Sequence, residues 1–313
     1  MIRAADPLDD FLEGAGAGSE LGERLETIGV ALALPGIVIA VGLIVFLLFV
    51  HKRGSSEERM ALLRALAVSG LVVLVGGLVE VVGAVAVGGG TWIEDLADTS
   101  RSPLIRLLAG TLMTVGFVGV RSPIPEPWRP APRQIFGVIG AVSGGLSFAT
   151  DGHTISEGNL FLSASLDVIH VLAAGVWVGG VVGLFLMSLR RSRGLETSPM
   201  APTIVRFSTV ATVAIVAVAA AGAGMSFLIV DSISDYYTTT WGKLLLVKVG
   251  LVVLAGGFGA YNHYVVVPAL EVDASDTVML ARARSTISAE VVLLFLVALV
   301  TVFLAGASVN QNG

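Results

Sequence analysis

Asp167 and His170 stand three residues apart in an otherwise apolar stretch, and no other pair in the chain is better placed to do chemistry. Helical residues at i and i+3 share a face. A carboxylate there can fix the imidazole tautomer and aim its other nitrogen at a metal ion or a proton. Trp177, further along, continues the stripe. An ionisable group inside a membrane-crossing helix costs several kcal/mol unless paired or wetted, so each is a functional candidate. The set is Glu80, Asp167, His170, Lys248, His263 and Glu290, with Arg206 near a helix end. At helical rise Glu80, Asp167 and Lys248 fall at one level, about 10 Å from one end of their spans. His170 lies about 15 Å down, near the midplane. Lys248 is expected to pair with a carboxylate at its level, Asp167 above all, because pairing lowers the cost of burying either charge.

His153 precedes the segment carrying His170 and can roof it from the connecting loop. Met113 and Met225 reach comparable depths on other segments. Imidazole and thioether together suit copper, and thioether suits Cu(I) in particular. Methionine in an apolar helix is nonetheless core filler more often than ligand. Toward the other end Arg206, His263, Glu290 and Asn262 form a second polar layer, in which an Arg206–Glu290 ion pair is expected. His170 and His263 are read as the only well-buried histidines, some 14 Å apart in depth. Two-histidine ligation needs both at one depth, so no haem is expected.

The elements that position these residues follow from composition. The 313 residues are 55% hydrophobic and 14% charged, against roughly 25% charged in a soluble domain. The absence of cysteine excludes disulfide scaffolds, thiolate metal sites and cysteine nucleophiles. A net charge of −5 argues against a nucleic-acid partner. Apolar runs long enough to meet lipid occur at 28–50, 65–87, 104–120, 134–150, 160–189, 203–230, 242–267 and 286–306. The reading is an all-α polytopic membrane bundle of eight transmembrane helices.

Residues 1–27 form an acidic tail with Asp6, Asp9, Asp10, Glu13, Glu20, Glu23 and Glu26 against only Arg3 and Arg24. A secretory signal wants a basic start, so the first run reads as a retained anchor. Arginine and lysine collect in alternate connections: Lys52 to Arg64, Arg121 to Arg133, Arg190 to Arg193, and Arg282 with Arg284. The positive-inside rule places these in the cytoplasm and both termini outside. Residues 28–150 then hold the first four spans, 151–306 the last four with their preceding loop, and 307–313 a short tail.

The second half resembles the copper resistance protein D family. The residues carrying the likeness are Asp167-Val-Ile-His170-Val-Leu-Ala-Ala-Gly-Val-Trp177-Val-Gly-Gly180, then Arg206-Phe-Ser208, then Trp241-Gly-Lys-Leu-Leu-Leu-Val-Lys248, with Asn262, Pro268 and Glu290. The likeness covers about residues 151–306. It implies a multi-pass protein of the cytoplasmic membrane that handles copper by transport, not an enzyme, working beside a small extracytoplasmic copper-binding protein. Copper would meet His153 and then His170, with Met113 or Met225 as soft ligand and Asp167, Glu80, Lys248, Trp177, Glu290, Arg206 and Asn262 in support. A copper-delivery factor for a cuproenzyme and a haem-bearing electron-transfer protein are the alternatives. No Walker A sequence is present, so ATP bound to this chain powers nothing.

Overall fold

A computed structural model describes residues 7–52, 54–88, 101–121, 123–148, 160–194, 199–230 and 232–306. Within them every regular element is helical: α1 Pro7–Val45, α2 Ser56–Gly88, α3 Arg101–Phe117, α4 Pro132–Ser147, α5 Leu160–Ser192, α6 Ala201–Ile229, the short α7 Asp235–Thr238, α8 Thr240–Tyr261, α9 Val267–Val272 and α10 Thr277–Gly306. π-helical turns at Phe46–Val50 and Asn262–Val266 extend α1 and join α8 to α9. Helix is the form that satisfies every backbone group within one segment, which lipid demands.

Six of these stretches are long and apolar enough to cross a membrane: Glu20–Val50, Ser56–Val87, Phe161–Ser192, Ala201–Ile229, Thr240–Val272 and Thr277–Leu304. The third and fourth helices, at 17 and 16 residues, are shorter. At helical rise they reach only about 25 Å, under the roughly 30 Å of hydrocarbon. The acidic segment read as a tail is helical from Pro7 and continuous with the first span. Its Gly22 packs directly on Gly83 and Val87 of α2.

The helices pack in two groups. α1, α2, α3 and α4 succeed one another, while α5 packs on α6 and, with α8, on α10. The groups join where α1 crosses α5. A Cβ on Gly179 would fall 2.6 Å from the Gly42 Cα and the Ile39 carbonyl, and one on Gly175 would fall 3.1 Å from the Val41 side chain of α1. Small residues let backbones approach like this in lipid, where dispersion rather than hydrophobicity holds helices together. Gly180 meanwhile lies under the Phe207 ring of α6. Outer faces are apolar, with Val213, Phe227, Val253 and Phe295 exposed.

The basic connections meet at one end. Glu58 on α2 accepts from Arg191 Nε at 2.8 Å and Nη2 at 3.0 Å, and pairs with His51 Nε2 at 3.1 Å. Arg59 donates to the Gly54 and Ile124 carbonyls, and Arg206 to that of Val50 at 3.2 Å. Asp276 caps α10 by accepting from Val278 and Met279.

Glu80 does not meet Lys248. It pairs with Arg106 of α3, whose Nε also donates to Ser147 at 3.1 Å and whose guanidinium lies 4.3 Å from the Phe148 ring centroid. Arg106, missed because it lies near the start of its run, is 1% exposed. Breaking a buried pair strands a charge and costs about 3–5 kcal/mol. Arg106→Ala should therefore lower the thermal midpoint of purified protein sharply, and Arg106→Ala with Glu80→Ala together should recover part of the loss. A single mutant as stable as wild type would remove the pair from the structure's supports.

Candidate functional site

His170 is half-buried on α5 and turns toward α6 rather than toward Asp167. Its Nδ1 lies 3.1 Å from the Val218 carbonyl oxygen. A carbonyl only accepts, so Nδ1 donates, and in the neutral ring Nε2 keeps its lone pair. The orientation expected from Asp167 thus comes from a backbone carbonyl. The reason is local to α6. The residue at i+4 normally covers a helical carbonyl, and here that residue is Gly222. A Cβ on Gly222 would stand 3.0 Å from His170 Cε1 and 3.2 Å from Nδ1, so glycine leaves the room in which the ring sits.

Lys248 on α8 interacts electrostatically with both Asp167 and His170. Met225 shares an α6 stripe with Val218 and Gly222 at helical spacing and lies a turn beyond the ring. Met113 is fully buried elsewhere, its side chain against Gly70 of α2 and Gly140 of α4. His153 lies outside the described residues. Among those described, no group of three His, Asp or Glu side chains converges to hold a metal ion.

The second layer sits two turns further along α5. Trp177, 2% exposed, lines a cavity of about 190 Å³ with Phe207, Ser208, Asn262, His263 and Glu290. The expected Arg206–Glu290 pair is absent, because Arg206 is spent on the Val50 carbonyl. Glu290 Oε2 is instead 3.5 Å from Asn262 Nδ2, and Thr286 donates to Asn262 Oδ1 at 2.7 Å. Its other oxygen occupies space left by Gly259. The buried Trp177 Nε1 faces this carboxylate without closing a hydrogen bond. His263 Nδ1 meets Ser208 Oγ at 2.7 Å. His51 is a further buried histidine, 1% exposed, so the count of two was low. Its partner Glu58 lies across a helix break, which spacing along one helix cannot show.

A family model described as copper resistance protein D matches residues 201–304, which spans α6 to α10 and leaves α5 outside. The copper transport protein CutJ of Bacillus subtilis (strain 168) is 30% identical over 117 residues, 37% of this chain and 22% of that protein. The inner membrane protein YebZ of Escherichia coli (strain K12) is 30% identical over 148 residues, 46% of this chain and 49% of that one. Copper resistance protein D of Pseudomonas syringae pv. tomato is 26% identical over 242 residues, 71% and 74% of the two chains. The chain thus spans about half or less of the first two relatives. No solved structure matches.

Fold and site define a multi-pass helical membrane protein with two polar layers in its second half. Over residues 201–304 it is similar to the copper resistance protein D family.

Gly222→Ala tests the imidazole seat. Alanine favours a helix over glycine by about 1 kcal/mol, and the hydrogen bond it disturbs is worth about the same. The thermal midpoint should therefore stay within a few degrees of wild type, while nitrogen NMR of labelled histidine should show the Nδ1–H signature at His170 weakened. An unchanged spectrum would mean that glycine is not needed for this contact.

Proposed function

We propose that this protein moves copper across the cytoplasmic membrane, with the His170 Nε2 as the ligand atom at mid-depth. The observation that carries the reading is the held ring: Nδ1 is bound to the Val218 carbonyl, and Nε2 is left with its lone pair. A metal-binding imidazole is ordinarily fixed in this way through its second nitrogen. Met225 supplies a thioether on the neighbouring stripe, a donor suited to Cu(I). His153, in the segment before α5, delivers the ion, and Asp167 and Lys248 set the local charge. Copper is cargo here, not a resident cofactor. The names of the Bacillus and Pseudomonas relatives support this choice of metal. A small extracytoplasmic copper-binding protein is the proposed donor or acceptor outside.

The proposed topology has eight spans and both termini outside, the two shorter helices crossing with local thinning of the bilayer. Support comes from the basic connections, which gather at one end through Glu58–Arg191 and Arg59–Ile124. The chain has no cysteine, so single cysteines report cleanly. At Ser55 and Ser192 they should resist impermeant thiol reagents in intact cells and react once the membrane is opened. Ready labelling of both in intact cells would invert the topology.

His170→Ala should abolish most copper binding and proteoliposome uptake while the protein stays folded, because the apolar helix contacts remain. Asp167→Asn should do less, since the Val218 carbonyl still orients the ring. Copper titration of folded protein, set beside its melting curve, decides. Unchanged affinity in His170→Ala would remove the site, whereas binding without uptake in the wild type would make the protein a delivery factor.

A further inference from the structure

Glu290 is 4% exposed, yet among the described residues no cation neutralises it. Arg284, six residues and about 9 Å earlier on α10, makes no ion pair with it, and its buried Nε has no hydrogen-bond partner among the described residues. Arg206 of α6 donates to Val50, and Arg282 of α10 reaches the Tyr261 hydroxyl at 3.4 Å. Lys248 stands about 20 Å up α8 from Asn262 and interacts with Asp167. His263 is bonded to Ser208, and its ring stacks edge-on with Tyr264 at 4.7 Å. Arg191 at the end of α5 is bound by Glu58. The groups that do face Glu290, Asn262 and Trp177, are neutral.

A carboxylate buried among neutral groups is stable only when something cancels its charge. Structural carboxylates elsewhere in this chain satisfy that rule with arginine: Glu80 with Arg106, and Glu58 with Arg191. Glu290 instead borders a cavity of about 190 Å³, large enough for several water molecules. The cavity lies between α6 and α8, which touch only sparsely, and Thr212, Val216 and Tyr264 along its rim are exposed. Thr212, His263 and Tyr264 also line it, and it offers a small ion one charged ligand, Glu290, and two neutral oxygens, Asn262 Oδ1 and Ser208 Oγ.

We propose that this cavity is a site for a small monovalent cation, a proton or sodium, held at Glu290. Trp177 links it to the outer site, because one rigid helix carries both His170 and Trp177 about 10 Å apart. Occupancy at Glu290 and the position of His170 then vary together, which makes the bound cation the coupling ion for the cargo. That role rests on the transport reading; the site itself does not.

The test uses the full chain in lipid vesicles without copper. Dicyclohexylcarbodiimide reacts with protonated carboxyl groups in apolar surroundings, and mass spectrometry locates the adduct. Glu290 should be labelled, labelling should fall as pH rises, and Glu80, held by Arg106, should stay unlabelled. Protection by sodium at constant pH identifies sodium as the ion; no protection identifies the proton. Glu290→Gln should fold, keep its contact to Asn262 and lose the adduct at this position. In copper-loaded vesicles the same variant should lose the dependence of uptake on the pH or sodium gradient, by tenfold or more, while binding at His170 persists. Labelling equal at Glu290 and Glu80, or none at Glu290 across the pH range together with gradient-dependent uptake unchanged in Glu290→Gln, overturns the proposal. Labelling at Glu290 in a protein that takes up no copper would retain the cation site and remove only the coupling.

Discussion

The crossing of α1 over α5 at Gly42, Gly175 and Gly179 is the contact on which the rest of the arrangement depends. It is the main join between the group α1–α4 and the group that holds both polar layers. Between Gly42 and Gly179 the backbones touch with no side chain between them, so the spacing there is set by main-chain atoms and has little slack. In lipid such contacts gain from dispersion and from a large area of close approach, since apolar side chains have no water to escape. The same short run places Gly180 under Phe207, which seats α6 against the other side of α5. One glycine-rich segment thereby fixes α5 between two neighbours, and α5 carries His170 and Trp177.

The two polar layers are built by different means. At the first layer a backbone carbonyl of α6 holds His170, made reachable by Gly222. A side chain held by main chain keeps its geometry when neighbouring side chains change. At the second layer Thr286, Asn262 and Glu290 hold one another in series. That chain of side chains ends at a cavity rather than at a counter-ion, so its balance depends on what occupies the space. Elsewhere buried charge is cancelled within the fold, by Arg106 at Glu80 and by Arg191 at Glu58, and those pairs act as fasteners.

Much of this was legible along the chain. Apolar runs named every long helix, because crossing lipid imposes a length and a composition that no packing detail alters. The ionisable residues of those runs were also identifiable, since each is an exception to the composition around it. Depth estimates placed Glu80, Asp167 and Lys248 at one level; Lys248 does interact electrostatically with Asp167, whereas Glu80 pairs with Arg106. Arg106 escaped because a long side chain near a helix end reads as interfacial, and only its neighbours reveal that it turns inward to Glu80. His51 and Glu58 escaped because the helix is interrupted between them.

By itself the sequence determined the helical membrane architecture and the kinds of polar group buried in it, for these follow from the solvent and from local composition. The gathering of basic connections at one end was equally readable, as charge is a property of the connection alone. Only the tertiary structure decided the partners: Glu80 with Arg106 instead of Lys248, Arg206 with the Val50 carbonyl instead of Glu290, and His170 with the Val218 carbonyl instead of Asp167. The physical reason is geometric. Position along a helix gives depth, but a partner also depends on the rotation of each helix about its axis and on which helix stands beside it. Those two quantities are set by where glycines let backbones meet.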